Sequence, residues 1–212
     1  MEQILTNHNH IMELLGAFLT GVVGPVLYLL ISRYLQKQKE KTRDIVKENI
    51  TSVSLISNEL EEIRDEFNGD RVWIAQFHNG GNFYPTGKSI QKFSIFYEVT
   101  KAGVSSVSHT FNNIPCSLYP KTFEHMMGGQ GIFIPDFENP KVATYGLKEA
   151  AKSVGTKSSF LVPMFTLDEK YLGNIGIDYV SKKKKMTKDD WEHFQIKAGR
   201  IAGYLSNHLS AT

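Results

Sequence analysis

SSFLVPMFTLDEKYLGNIGIDYV, residues 158–180, is the stretch on which the fold turns. SSFLVPMF (158–165) and YLGNIGIDYV (171–180) are rich in β-branched and aromatic side chains, and the polar TLDEK (166–170) between them has the length of a hairpin connection. That composition reads as strand, turn, strand. RVWIAQF (71–77), SIQKFSIFYEV (89–99) and GIFI (131–134) share the character and are bounded by Gly, Pro, Asn or Asp. Helix-forming stretches separate them: SLYPKTFEHMM (117–127) lies between the second and third strands, and PKVATYGLKEAAKSV (140–154) precedes the fourth. The order describes an α+β domain with a mostly antiparallel sheet covered by helices.

Working outward, TKDDWEHFQIKAGRIAGYLSNHL (187–209) closes the domain as an amphipathic helix. Thr187 and Asp190 resemble a capping box, and Trp191, Phe194, Ala198, Ile201 and Leu205 share one apolar face. Upstream of the first strand, Val46, Ile50, Val53, Ile56, Leu60, Ile63 and Phe67 recur at steps of three and four, which predicts a long helix with Gly69 as its stop. A stripe this narrow serves either self-association as a stalk or packing on the domain's own sheet.

Farther out lies LLGAFLTGVVGPVLYLLISRYLQKQKEK (14–41), with 18 uncharged residues from Leu14 to Ile31. At the α-helical rise they make about 27 Å, against the roughly 30 Å of a bilayer's hydrocarbon core, so a transmembrane helix is expected. Met1–Glu13 carries no Lys or Arg, and SRYLQKQKEK rather than a cleavage site follows Ile31, so the segment reads as retained, not as a signal peptide. Arg33, Lys37, Lys39, Lys41 and Arg43 all follow the span, which places the carboxy-terminal domain in the cytoplasm by the positive-inside rule. Ala17 with Gly21 and Thr20 with Gly24 are small-residue pairs that favour helix association, and Pro25 invites a kink.

The 212 residues leave room for one ordinary domain beyond the span, and 41% hydrophobic content fits a globular fold. A formal net charge of +2 gives no case for nucleic acid as a partner. Cys116 is the single cysteine, so an internal disulfide is excluded.

The residues resemble a known family. A long first helix, the strand DRVWIAQFHNG (70–80), a loop-rich middle, and FLVPMFTLDEKYLGNIGIDYV (160–180) before an amphipathic helix are similar to GAF-like domains. That resemblance implies a module that binds small molecules or dimerises. A narrower resemblance is to the T-even bacteriophage holin family, which has one amino-terminal span and a domain ending in P-x-F-x-L-D-x-x-Y-x-G-x-I, here Pro163 to Ile175, then an Ala-rich helix, here AGRIAGYL (198–205). LYPKTFEHM (118–126) and FSIFYEVTKAG (93–103) also look like that family's middle. It implies an exported soluble domain, against the orientation given by the charges. The expected division is a tail (1–13), a transmembrane helix (14–35), a stalk and first helix (36–69) and a GAF-like α+β domain (70–212).

Within a GAF-like pocket the first candidates are His78 and Asn79 of FHNGG (77–81), which serve either as a ligand-binding lip or as a turn. Tyr84, Tyr97, His109, Asp136 and Asp178 are the other ligand-binding candidates, being polar groups expected at strand ends or in loops. MMGGQG (126–131) lacks the Lys-Ser/Thr of a phosphate-cradling loop, and KKKK (182–185) is a solvated turn or an anionic-lipid contact. Cys116, His125, His8 and His10 lack metal-ligand spacing, and no nucleophile elbow, HExxH or catalytic carboxylate pair is present, so no metal, cofactor or enzyme activity is expected.

Two functions follow, beside a third in which the domain is a structural adaptor with an empty pocket. One is a phage-type holin that oligomerises in the cytoplasmic membrane through Ala17, Thr20, Gly21 and Gly24 and permeabilises it for host lysis. The other is a membrane-tethered sensory module binding a nucleotide-like or other small ligand. The partners are membrane lipid, further copies of the chain through span and stalk, and a regulatory protein or small ligand on the soluble domain.

Overall fold

The computed structural model describes residues 16–42, 45–83 and 85–210. The chain divides into two compact units, Met1–Glu48 and Asn49–Thr212.

In the first unit the described chain is helical. A π-helical turn, Leu19–Val23, leads into α1 (Gly24–Thr42). Pro25 has no N–H to give to the carbonyl four residues earlier, and the wider turn just before it absorbs that loss. Gly16–Gln38 forms a helix of 23 residues that is long and apolar enough to cross a membrane, and none of its apolar window is buried.

The second unit is built on six strands: β1 (Arg71–Asn82), β2 (Ser89–Thr100), β3 (Ile114–Pro115), β4 (Ile132–Ile134), β5 (Ser158–Phe165) and β6 (Tyr171–Tyr179). They form one sheet in the order β3-β2-β1-β6-β5-β4, and every neighbouring pair is antiparallel. Residues 158–180 form the expected hairpin, closed by Thr166 N–H donating to the Lys170 carbonyl at 2.8 Å. The fold is therefore α+β, as the strand spacing predicts.

Helix α2 (Ile45–Glu66) and the last helix, α5 (Lys188–Ser210), cover one face of the sheet. Ile56, Leu60, Ile63 and Phe67 of the first helical segment and Phe194, Ala198, Ile201 and Leu205 of the last are buried against Val72, Ile74, Ile175 and Ile177. Lys197 pairs with Glu66 at 2.9 Å and Arg200 with Glu59 at 3.3 Å, so the two helices run antiparallel. The second half of the apolar stripe thus belongs to the domain core, whereas Ile50 and Val53 remain exposed at 62% and 42%. The capping box forms in both directions, with Thr187 N–H donating to Asp190 Oδ2 and Asp190 N–H to Thr187 Oγ1.

Two local expectations need correction, and a third holds. The left-handed residue that ends α2 is Asn68 (φ 50°), not Gly69. Gly69 is required for another reason: a Cβ there would lie 2.7 Å from Ile177 Cγ2. The helix read from residues 140–154 shrinks to α4 (Lys148–Ser153), because Tyr145 and Gly146 both adopt positive φ just before it. SLYPKTFEHMM keeps its helix as α3 (Pro120–Met127), with Pro at its first turn.

Candidate ligand-binding site

Opposite the α2–α5 face, the sheet bears a second layer made of α3, α4 and the loops around them, and a partly open cavity of about 80 Å³ lies between. Strand alternation supplies its floor. Trp73 and Ala75 of β1, Phe93 and Ile95 of β2, Ser159 of β5, and Asn174 and Asp178 of β6 face it, while their neighbours Val72, Ile74, Ile175 and Ile177 face the helices. Val107 and Phe111 from the loop after β2, Phe123 of α3, Phe137, and Leu147 and Ala151 at α4 close it from above.

The loop bearing Val107 is pinned by Glu98, whose carboxylate accepts from the N–H groups of Val107 at 2.8 Å and Ser108 at 3.1 Å and from the Ser106 hydroxyl. Gly176 makes room for the cavity's indole: a Cβ there would lie 2.4 Å from Trp73 Cζ2. With that space the indole Nε1 donates to Asp178 Oδ2 at 3.1 Å.

Asp178 anchors a buried polar network at this end of the cavity. Its Oδ2 also accepts from Arg71 Nε at 3.2 Å, and its Oδ1 from the Ser159 hydroxyl at 2.7 Å. Arg71, only 1% exposed, donates further to the Ser105 carbonyl at 2.9 Å and to Thr156 Oγ1 at 3.0 Å. Burial pushes the Asp178 carboxyl up, against the opposing pull of the Arg71 guanidinium and of the hydrogen bonds from Ser159 and Trp73. Arg71 thereby ties the floor of the cavity to both the loop after β2 and the segment after α4.

Of the ligand-binding candidates read from the sequence, Asp178 lines the cavity. His78 and Tyr97 instead border an open groove with Val53 and Ser57 of α2, on the helix-covered face. His78 Nε2 lies 2.9 Å from the Ser94 hydroxyl there. Asn79 is exposed in the β1–β2 hairpin, its Oδ1 accepting from Ser89 and Gln91. His109 is exposed in the loop after β2. Asp136 pairs with Lys183 at 2.7 Å, next to the cavity-lining Phe137. Tyr84 lies outside the described residues. Of the helix-association candidates, Thr20 gives its hydroxyl to the Gly16 carbonyl at 2.9 Å, and Gly21 has open space around it. Ala17, like Thr20 and Gly21, is exposed, and Gly24 is the first residue of α1.

Arg71, Trp73, Ser159 and Asn174 were not singled out by the sequence reading, which looked for polar groups at strand ends. The available signal was one charge of each sign inside an otherwise apolar strand, Arg71 in RVWIA and Asp178 in IGIDY. Two such residues that cannot reach water have to find each other.

No protein-family model matches the sequence, and no curated protein matches it. Solved structures do. A far-red cyanobacteriochrome photoreceptor is 16% identical with a TM-score of 0.58, over 82% of this chain and 98% of that one. The phycocyanobilin-bound GAF domain of a cyanobacterial phytochrome is 19% identical with a TM-score of 0.58, over 83% and 92%. The blue-light absorbing form of the Thermosynechococcus elongatus PixJ GAF domain is 14% identical with a TM-score of 0.57, over 77% and 94%. The fold is GAF-like.

Proposed function

We propose that the chain is a membrane-tethered sensory module whose GAF-like domain takes a small molecule in the cavity between the sheet and the α3–α4 layer. The observation that carries this reading is the recessed apolar volume with a buried, convergent polar end, the usual form of a small-molecule site. The likeness to a phycocyanobilin-bound GAF domain supports it at the level of fold. At about 80 Å³ the cavity is far too small for a bilin of four pyrrole rings or for a nucleotide, so neither is proposed as its occupant. Binding without catalysis is the reading, because the hydroxyls of Thr156 and Ser159 and the carboxylate of Asp178 are spent on one another and on Arg71.

On this reading the helix of residues 16–38 is a single-pass anchor in lipid, and the basic residues after it keep the domain in the cytoplasm. Self-association would use the exposed Ile50 and Val53 of α2, and a regulatory protein would read the domain's response. The holin reading has no comparable support. Its diagnostic run, Pro163 to Ile175, is consumed by the β5–β6 hairpin and accounts for fold, not for lysis.

The test is native mass spectrometry of the full chain in detergent, with a small-molecule panel added and Trp73 fluorescence as the local reporter. A ligand bound one to one, and weakened by Ala75→Leu, which fills part of the cavity, is the expected result. Binding that Ala75→Leu leaves untouched would move the site elsewhere.

A further inference from the structure

The cavity's polar inventory narrows what it accepts, on the premise that it is the ligand site. Arg71 and Asp178 cancel one another's charge, and each of their polar atoms has a protein partner. Thr122 gives its hydroxyl to the Tyr145 carbonyl at 2.8 Å. The half-buried Tyr119 at the cavity's edge has no hydrogen-bond partner for its hydroxyl among the described residues, and Asn174 shares that lack in a far more buried setting. Asn174 is 4% exposed, its Oδ1 accepts from the Tyr171 hydroxyl, and its Nδ2 has no hydrogen-bond partner among the described residues.

That Nδ2 is not sealed in protein, because the one sealed and unpartnered side-chain polar atom among the described residues is Glu59 Oε2. The Asn174 donor therefore borders open volume, and the volume it lines is the cavity. Burial pushes the Tyr171 hydroxyl up, so it stays protonated and keeps donating to Oδ1. This fixes the amide with its N–H groups free.

From these groups we infer that the cavity takes a small, uncharged, largely apolar molecule bearing one hydrogen-bond acceptor, which Asn174 Nδ2 receives. The cavity's 80 Å³ is about half of the roughly 150 Å³ that holds benzene, and its mouth is partly open, so about six non-hydrogen atoms is an upper bound for the ligand. A charged ligand would arrive with no unpaired counter-charge to meet it and would lose its hydration uncompensated. An apolar ligand without an acceptor would leave the amide unsatisfied.

The experiment compares matched six-atom probes on the full chain in detergent, at equal free concentration, in a Trp191→Phe background that leaves Trp73 as the sole tryptophan. Cyclopentanone carries the acceptor, methylenecyclopentane has the same shape without it, and isobutyrate carries a charge. Cyclopentanone is expected to shift Trp73 emission saturably and to bind about tenfold more tightly than methylenecyclopentane, with isobutyrate silent. Asn174→Leu should erase the preference for the ketone. Tyr171→Phe, which frees Oδ1 and lets the amide turn, should raise the affinity for cyclopentanol relative to cyclopentanone, and it carries the test if Asn174→Leu does not fold.

Isobutyrate binding as tightly as cyclopentanone would overturn the inference while leaving the cavity a ligand site. So would a ketone preference that survives Asn174→Leu, or a Tyr171→Phe variant with unchanged selectivity. If no probe of either kind moves Trp73, the ligand-site reading itself falls.

Discussion

Replacing Arg71 by Met tests the buried network at the cavity's end. The side chain is 1% exposed and donates to Asp178, Ser105 and Thr156, so its loss leaves a buried carboxylate with only the neutral donors Trp73, Ser159 and, at 3.5 Å, Thr156. Breaking one side of a buried pair costs about 3–5 kcal/mol. For a domain of this size each kcal/mol lowers Tm by about 2–4 °C, so a fall of roughly 6–20 °C is expected. Asp178, relieved of the guanidinium, should rise further and take up a proton in the folded state. The deficit should then shrink as pH falls from about 7 to about 5, since the folded variant binds a proton that the unfolded chain does not. Adding Asp178→Leu removes the orphaned charge and should recover most of the loss. Thermal unfolding followed by circular dichroism on the full chain in detergent reads all three. A single variant that costs under about 1 kcal/mol, or a double variant no better than the single, would refute the assignment of Arg71 and Asp178 as a mutually dependent pair.

Two further predictions concern the frame around the site. Leu60→Ala should cost about 2–5 kcal/mol and Ile50→Ala no more than about 0.5, because Leu60 is wholly buried and Ile50 is exposed; similar losses measured by urea unfolding would contradict the division of the stripe. Asp70 is raised by burial, but the N–H groups of Ser181 and Val180, together with Lys101, outweigh this and hold it below its ordinary 3.8. A carboxylate depressed in the folded state gives stability present above 3.8 and lost as pH falls through the folded value. Asp70→Asn should therefore lose less stability than the parent between about pH 5 and about pH 2, and equal losses would count against the hydrogen bonds that Val180 and Ser181 give Asp70.

The sheet was legible because its hairpin and strands combine β-branched and aromatic composition with turn residues at their ends, a signal that survives without knowledge of partners. The capping box and the apolar face of α5 were legible for the same local reason. The cavity was not. Trp73, Asn174 and Asp178 converge only because β1 and β6 pair, with Arg71 opposite Asp178, and no window of sequence contains both strands. His78 looked like a pocket residue because it precedes two glycines, yet strand alternation puts it on the face that carries Val72 and Ile74. Asp178 was found for its charge, without any sign of the arginine that shares its burial. The left-handed Asn68 escaped notice because glycine, standing next to it, is the commoner choice for that conformation.

The antiparallel course of α2 and α5 decides where the domain can be handled. Glu66 and Lys197 meet near one end and Glu59 and Arg200 farther along, so α5 runs back along α2 toward its amino-terminal half. The lysines at 182–185 sit at the opposite pole, beside Asp70, about 25 Å away along the helix. Drawing either helix out along its axis therefore shears both ion pairs together and strips the apolar stripe beneath them from Val72, Ile74, Ile175 and Ile177.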